Sequence, residues 1–105
     1  MKRLALYLIL AAGLPAVAQD KTIAREHAFG CADSDYYSSL VGFAVQKDEA
    51  AFKKGLLAGM LREQCATFTV GQPVYLENTK MFRGQVQIRR KGETKKYWTA
   101  MENVR

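Results

Sequence analysis

Apolar and polar residues follow two different periods along this chain. Between residues 34 and 61 the apolar positions recur at helical spacing, and from Cys65 onward they alternate with polar ones. The first spacing is typical of amphipathic helices and the second of half-buried strands. The pattern therefore predicts an α+β fold, in which a helical part is followed by a β-rich part.

Two helices are predicted, over residues 34–46 and 47–61. The apolar face of the first consists of Tyr36, Tyr37, Leu40, Val41 and Ala44. Asp33 or Ser34 can cap this helix, because a short polar side chain accepts a hydrogen bond from the free N–H groups of the first turn. The short connection between the two segments predicts a helical hairpin.

The second helix carries two glycines about one turn apart, Gly55 and Gly59. Each should cost about 1 kcal/mol relative to alanine in a helix interior. We expect the close approach of another element on that side to offset this cost. Asp48 is the predicted N-cap, and the apolar face consists of Phe52, Leu56 and Met60.

The segments on either side of the helices differ in their patterns. Residues 19–34 have no clean period and predict an extended or irregular arm tied down by Cys31, with a short helix over residues 22–28 as an alternative. Residues 79–84 predict a loop, and residues 101–105 a turn with a last half-strand. Between these segments, four strands are predicted, over residues 65–70, 74–78, 85–90 and 95–100. Several short strands separated by turns are typical of a small antiparallel barrel.

The β-rich part resembles bacterial SH3-like domains in three segments, GQPVYL (71–76), RGQVQIR (83–89) and YWTAMENV (97–104). In SH3-like domains a glycine precedes a strand, and a turn, an aromatic–apolar pair and a one-turn helix follow. The three segments resemble this order. The resemblance covers residues 65–105 and implies a small antiparallel SH3-like β-barrel with the helical hairpin packed on it. It also implies binding of peptidoglycan or peptides, an expectation that rests on fold analogy.

The first 18 residues have the features of a secretory signal peptide. Two basic residues precede an apolar run over residues 4–14, and a small-x-small cleavage pattern follows at Ala16-Val17-Ala18. The run is too short to span a membrane, which takes about 20 residues. We therefore predict a periplasmic or secreted protein with a single small domain, residues 19–105. An uncleaved N-terminal anchor is the alternative.

The chain has two cysteines, Cys31 and Cys65. Export to an oxidising compartment predicts a disulfide between them, because two cysteines allow one pairing. The bond would join the arm and helical hairpin, residues 19–64, to the predicted barrel, residues 65–105. Closing a loop of this length should contribute about 3–4 kcal/mol.

Positive charge is concentrated near the C-terminus. Residues 80–105 hold eight Lys/Arg and two Asp/Glu, whereas residues 19–79 hold six Lys/Arg and eight Asp/Glu. The net charges of these two parts are therefore +6 and −2. Such an asymmetry favours an acidic partner that is attracted over a distance.

The densest basic stretch, RRKGETKKYWT (89–99), predicts a β-hairpin with Gly92 near its tip. Its exposed residues and one upstream arginine form the candidate partner-binding set: Arg83, Arg89, Lys91, Lys95, Lys96 and Tyr97. A solvated strand edge, whose charges only block aggregation, is the alternative interpretation.

The register of this hairpin decides which aromatic residue faces the core. A loop with an even number of residues turns Tyr97 toward the side of Val86 and Ile88 and leaves Trp98 outside. A loop with an odd number of residues does the reverse. The SH3-like pattern, with an exposed aromatic before a buried apolar residue, implies the odd loop. We therefore predict Trp98 in the core and Tyr97 at or near the surface.

Few residues in this chain could support catalysis or metal binding. The single histidine, His27, could pair with Cys31 or a serine, and Cys31 is expected to be oxidised. One histidine and two cysteines are too few ligands for a zinc site, and no phosphate-binding or nucleophile motif occurs. We predict a non-enzymatic protein without cofactor or metal. Export argues against nucleic acid as a partner.

A small exported protein without these chemistries fits an interaction role. We predict a protein-interaction module of the cell envelope, such as an inhibitor, immunity or accessory factor, which binds an acidic protein through the basic hairpin. The alternative is a peptidoglycan- or glycan-binding SH3-like module that uses Tyr97. No membrane span is expected after cleavage.

Overall fold

Strands and helices follow one another through residues 19–105, the part of the chain that the computed structural model describes. The strands are β1 (Gln19–Thr22), β2 (Phe29–Cys31), β3 (Cys65–Thr67), β4 (Pro73–Lys80), β5 (Gln85–Arg90) and β6 (Lys96–Ala100). Between β2 and β3 lie the helices α1 (Ser34–Val45) and α2 (Glu49–Leu61), and two 3₁₀ helices occupy Met81–Arg83 and Met101–Asn103. The predicted signal peptide, residues 1–18, lies outside the described residues.

The six strands form one antiparallel sheet in the order β1-β4-β5-β6-β2-β3. The predicted α+β class is therefore confirmed. The predicted loop over residues 79–84 starts as strand instead, because Thr79 and Lys80 pair with Val86 and Gln85. The resemblance to SH3-like domains stays a prediction.

The arm is extended and is held by Cys31, as predicted, and the alternative of a short helix over residues 22–28 was wrong. It supplies β1, which pairs with β4, and β2, which lies between β6 and β3. Thr22 lies opposite Pro73 and Cys31 opposite Trp98, so the partners of these short strands are far away in the chain. When the paired strands are this far away in the chain, a short strand shows little alternation of apolar and polar residues in its own sequence.

The C-terminal residues pair with the strand at one edge of the sheet. Ile23 forms a bridge with Val104, and Thr22 and Arg105 exchange two backbone hydrogen bonds of 3.0 Å. Because Val104 follows β6 in the middle of the sheet and Ile23 follows β1 at its edge, the sheet must curl to bring them together. This pairing confirms the predicted half-strand at the C-terminus.

The two faces of the sheet bury different groups. The inner face, which the curled sheet encloses, holds one apolar cluster that includes Ile23, Phe68, Val74, Val86, Ile88 and Tyr97. On the outer face, α1 and α2 cover the β2–β3 end, where Tyr37 and Leu40 pack with the two cysteines.

Both helices start at the predicted caps, since the side chains of Asp33 and Asp48 accept hydrogen bonds from Asp35 N and Ala51 N.

The register of the β5–β6 hairpin contradicts the predicted surface position of Tyr97. Ile88 lies opposite Tyr97, and Arg89 lies opposite Lys96, so an even number of residues connects the last pair. Tyr97 therefore faces the inner cluster and is 4% exposed. Trp98 points to the outer face, so its predicted position on the side of Val86 and Ile88 was wrong, although it is buried where β2 pairs beside it. The SH3-like pattern was a poor guide to this register.

The helical glycines permit a close approach, as predicted. A Cβ atom at Gly55 would lie 2.5 Å from Leu40 Cδ2 of α1, and one at Gly59 would lie 2.6 Å from Cys65 Sγ of β3. These contacts are tighter than van der Waals packing allows. Gly55 thus sets the distance between the helices, and Gly59 sets the distance from α2 to the sheet.

We expect Gly59→Ala to lower the free energy of unfolding by about 1–3 kcal/mol, because overpacking against the disulfide outweighs the better helix propensity of alanine. Gly42→Ala is the matched control, since Gly42 lies inside α1 with nothing within 4 Å of an added Cβ. The control should gain about 0.5–1 kcal/mol. Urea unfolding measures both, and the same sign for both variants would contradict the explanation.

The predicted disulfide between Cys31 and Cys65 is confirmed. The two residues lie opposite each other in β2 and β3, with their Cα atoms 4.0 Å apart, and they are 0% and 4% exposed. The bond closes a loop that contains both helices. It therefore restrains the helical hairpin in the unfolded chain as well as in the folded one.

Reduction of the disulfide should lower the free energy of unfolding by about 3–4 kcal/mol. For a domain of this size the melting temperature should fall by more than about 10 °C. Thermal unfolding with and without dithiothreitol measures the effect. A double variant, Cys31→Ala with Cys65→Ala, is the control, because its melting temperature should not respond to reductant. An equal melting temperature for the wild type in both buffers would refute the contribution of the bond.

Candidate functional site

Three side chains form a row across the outer face of β4, β5 and β6. Tyr75 lies opposite Arg89, and Arg89 lies opposite Lys96. Residues that face each other across antiparallel strands point to the same side of the sheet. With Glu77 and Lys91, these residues form a surface away from the helices, which we call the basic face: Tyr75, Glu77, Arg89, Lys91 and Lys96.

Glu77 is the acidic centre of the basic face. The register of β4 against β5 shifts between Leu76 and Asn78, which leaves Glu77 as the extra residue of a bulge. Its Oε2 accepts a hydrogen bond of 2.9 Å from Arg89 Nε, and its Oε1 lies 3.6 Å from Lys96 Nζ. The hydrogen bond from Arg89, with the charge of Lys96, holds the pKa of Glu77 below its ordinary value.

Tyr75 presents its ring to two cations. The guanidinium carbon of Arg89 lies 4.7 Å from the ring centroid, and Lys91 Nζ lies 5.8 Å from it. Arg89 also donates a hydrogen bond of 2.9 Å to the carbonyl oxygen of Glu93. Arg89 is thus fixed by the ring, by a carboxylate and by the backbone of the hairpin loop.

The basic face has more positive than negative charge. Arg89, Lys91 and Lys96 are cationic, and Glu77 is the carboxylate among them. Lys91 is exposed and forms no ion pair with a carboxylate of residues 19–105. The carboxylate of Glu93, the other nearby acid, is turned toward Arg90 at 3.1 Å. An anionic group that approaches this face therefore meets uncompensated positive charge.

The remaining residues of the predicted binding set lie elsewhere. Arg83 is at the opposite end of β5, where its Nη1 lies 2.7 Å from Asp35 Oδ1. Lys95 donates a hydrogen bond to the carbonyl oxygen of Glu63, beside the turn that leads into β3. Tyr97 is buried in the inner cluster. The structure therefore brings Arg89, Lys91 and Lys96 together and separates the other three.

Arg90 illustrates the alternation along β5. It points inward, away from Arg89, with its guanidinium carbon 5.7 Å from the ring centroid of Phe68 and 5.4 Å from that of Tyr97. Its buried Nε has no hydrogen-bond partner within residues 19–105. Arg90 thus covers one end of the inner cluster and does not contribute to the basic face.

Two members of the basic face, Tyr75 and Glu77, were missed by the sequence reasoning. They lie on β4, whereas the prediction considered the charged hairpin and Arg83. A signal was present in the alternation Val74-Tyr75-Leu76-Glu77, which puts an aromatic residue and a carboxylate on the polar side of the strand. Their pairing with Arg89 and Lys96 could not be read without the register.

The residues considered for catalysis or metal binding do not form a site. His27 is exposed in the turn before β2, and both cysteines are in the disulfide. No group of three or more metal-ligating side chains occurs within residues 19–105. In the same range, no helix is both long and apolar enough to cross a membrane.

Comparisons of the chain with protein-family models, with curated proteins and with solved structures found no match.

The contribution of Glu77 to stability should depend on pH in a defined direction. Because its pKa is lower in the folded state than in the unfolded state, the stabilisation is present above about pH 4.3 and is lost as the pH falls through the lower, folded-state pKa. We expect Glu77→Gln to lower the free energy of unfolding at pH 7 by at most about 1 kcal/mol, because the ion pairs are partly solvated.

Urea unfolding of the wild type and of Glu77→Gln at pH 7, 5 and 3 measures this dependence. The difference between the two proteins should shrink as the pH falls below the ordinary glutamate range. A difference that stays constant across these pH values would mean that the charge of Glu77 has no part in it.

Proposed function

We propose that this protein is an exported, non-enzymatic interaction module of the cell envelope, which binds an acidic protein through its basic face. The observation that carries this proposal is the charge balance of that face, which has three cations and one carboxylate. Two of the cations, Arg89 and Lys96, pair with Glu77, and Lys91 has no ion pair within residues 19–105. Excess charge of this kind steers an oppositely charged partner and selects against basic ones.

The contacts around Arg89 support binding with little rearrangement. The side chain is held by Glu77, by the Glu93 carbonyl and by the Tyr75 ring before any partner arrives. Binding a preorganised arginine costs less entropy than ordering a free one. Arginine and tyrosine are also among the side chains that are enriched where the energy of protein interfaces is concentrated.

A protein partner fits the basic face better than a glycan does. Sugar-binding surfaces use an exposed aromatic ring, and Tyr97, the ring that the sequence suggested for this role, is 4% exposed. Tyr75 is only partly exposed, and its ring is engaged by Arg89 and Lys91. Carboxylates of an acidic protein would instead meet the cations directly. Such a surface is compatible with an inhibitor, immunity or accessory role.

We expect Lys91→Glu to weaken capture of the partner from an envelope extract by roughly tenfold, because it reverses the uncompensated charge. Lys54→Glu is the matched control, since Lys54 is exposed on α2, away from the basic face. Glu77→Gln should strengthen capture, because it removes the only carboxylate of the face. Quantitative mass spectrometry of proteins retained on the three immobilised variants and the wild type measures these changes.

Two results would contradict the proposal. Equal losses in Lys91→Glu and Lys54→Glu would show that net charge, and not the basic face, governs capture. Sedimentation with purified peptidoglycan that is unchanged by Lys91→Glu, together with no protein retained, would favour the glycan-binding alternative.

A further inference from the structure

Backbone groups at the free edge of β3 have no hydrogen-bond partner within residues 19–105. β3 is the last strand of the sheet, with β2 on its other side. Phe68 N donates a hydrogen bond of 2.8 Å to Ala28 O, which fixes the phase of the ladder between the two strands. Because the bonds of an antiparallel pair alternate, Cys65 and Thr67 direct their N–H and C=O groups away from β2. These two residues therefore present two donors and two acceptors at the edge.

The free edge of β3 borders a partly enclosed cavity. Cys65 is 4% exposed, although its N–H and C=O form no hydrogen bond within residues 19–105. The cavity has a volume of about 400 Å³. We call it the polar trough, and besides β3 it is lined by Met60, Glu63, Arg90, Glu93, Lys95 and Tyr97. Buried backbone groups are nearly always paired in proteins, so this edge is suited to a further strand.

Arg90 adds an unpaired donor to the polar trough. Its Nη2 lies 3.1 Å from Glu93 Oε1, whereas its buried Nε has no hydrogen-bond partner within residues 19–105. Arg90 points to the inner face of the sheet, as does Ala66 of β3. Two cations and two carboxylates line the trough, so it favours a polar side chain without net charge. An uncharged acceptor beside Ala66 would lie on the same side of the sheet as the Arg90 guanidinium.

A second cavity lies on the outer side of the same edge. It has a volume of about 820 Å³ and lies between α2 and the β2–β3 pair. We call it the aromatic groove, because its apolar lining consists of Phe29, Phe52, Leu56 and Phe68. Thr67, which lines both cavities, lies opposite Phe29, and the rings of Phe29 and Phe52 meet edge to face with centroids 5.3 Å apart. An apolar side chain beside Thr67 would therefore face aromatic rings.

The two cavities match the alternation of side chains along a strand. In a strand added to β3, side chains beside Cys65 and Thr67 point to the outer face, and the one beside Ala66 points to the inner face. The outer positions lie toward α2 and the aromatic groove, and the inner position lies toward the polar trough. Strand addition takes its affinity from main-chain hydrogen bonds and its specificity from pockets for alternate side chains.

We propose that an extended segment of a partner protein adds to the free edge of β3 as a further antiparallel strand. The unpaired groups of Cys65 and Thr67 bond to its main chain, and its side chains follow the order apolar, polar, apolar. The first apolar side chain enters the aromatic groove beside Thr67, and the polar one enters the polar trough. β3 has three residues, and so short an edge pairs with few other chains. The two cavities restrict the choice of partner further.

This site is distinct from the basic face and goes beyond the proposed function. The basic face uses charged side chains of β4, β5 and β6, whereas the edge of β3 uses main-chain groups and apolar contacts. Salt screens exposed charges and has little effect on such contacts. Raising the salt concentration should therefore weaken capture by the basic face and leave strand addition nearly unchanged.

A peptide titration followed by NMR tests the proposal. The probe is acetyl-Lys-Thr-Phe-Asn-Leu-Thr-Lys-amide, in which Phe and Leu are the apolar positions and Asn is the polar one. Its lysines keep it away from the basic face. Added to the isotope-labelled wild type up to about 5 mM, the peptide should bind with a dissociation constant of about 0.1–1 mM. The amide protons of Cys65 and Thr67 should move downfield, because they gain hydrogen bonds.

Two methylated forms of the peptide separate strand addition from apolar contact alone. In the proposed register the N–H groups of Phe and Leu face β3, and that of Asn faces away. N-methylation of Phe and Leu should raise the dissociation constant by at least about tenfold. N-methylation of Asn is the matched control and should change it by less than about twofold. All three peptides carry the same side chains, so a purely apolar contact would not distinguish between them.

Thr67→Pro tests the edge from the side of the protein. Proline removes the N–H that points away from β2 and keeps the ladder to β2, an arrangement that edge strands tolerate. The variant should bind the peptide at least about tenfold more weakly. Lys91→Glu, on the basic face, should bind the peptide like the wild type. If Thr67→Pro lowers the melting temperature, the methylated peptides decide the question.

The proposal is overturned if the parent peptide does not bind at about 5 mM, or if both methylated peptides bind as it does. It is also overturned if the amide shifts of Cys65 and Thr67 change with protein concentration in the absence of peptide, because a second copy would then occupy the edge. None of these results bears on the basic face, whose capture of an acidic partner is measured with Lys91→Glu.

Discussion

The close contact between α2 and the disulfide holds the parts of this protein together. Cys31 of β2 and Cys65 of β3 are bonded at the point where Gly59 lets the helix approach, and Cys31 also lies opposite Trp98 of β6. Three segments that are far apart in the chain therefore meet at one buried place. Loop closure by the bond reduces the entropy of the unfolded chain, and the packing around it contributes to the folded state.

A buried polar network fixes the other end of α1 to the sheet. Ser34 Oγ donates a hydrogen bond of 2.6 Å to Gln85 Oε1, and Gln85 Nε2 donates one of 2.8 Å to Ser38 Oγ. Ser34 also accepts from Arg83, which extends the network to the turn between β4 and β5. Buried polar groups with satisfied hydrogen bonds favour one arrangement over similar ones. These hydrogen bonds thus favour one orientation of the helix on the sheet.

The division of the sheet into two faces explains where binding chemistry can occur. The inner face is filled by apolar residues, with Arg90 covering one end, and half of the outer face is covered by the helices. The uncovered half carries Tyr75, Arg89 and Lys96, brought together by strand register and by the bulge at Glu77. A sheet that curls and is half covered by helices leaves few surfaces free, and the basic face is one of them.

Local patterns in the sequence determined both helices, their caps at Asp33 and Asp48, the strands after Cys65 and the disulfide. These features depend on neighbouring residues or, for the disulfide, on a single allowed pairing. Tertiary structure alone decided that the arm forms β1 and β2, that Tyr97 faces inward, and that Glu77 lies between Arg89 and Lys96. Each of these depends on strand register, and a shift of one residue reverses every side chain. Pairs of residues far apart in the chain set that register, and no local period encodes them.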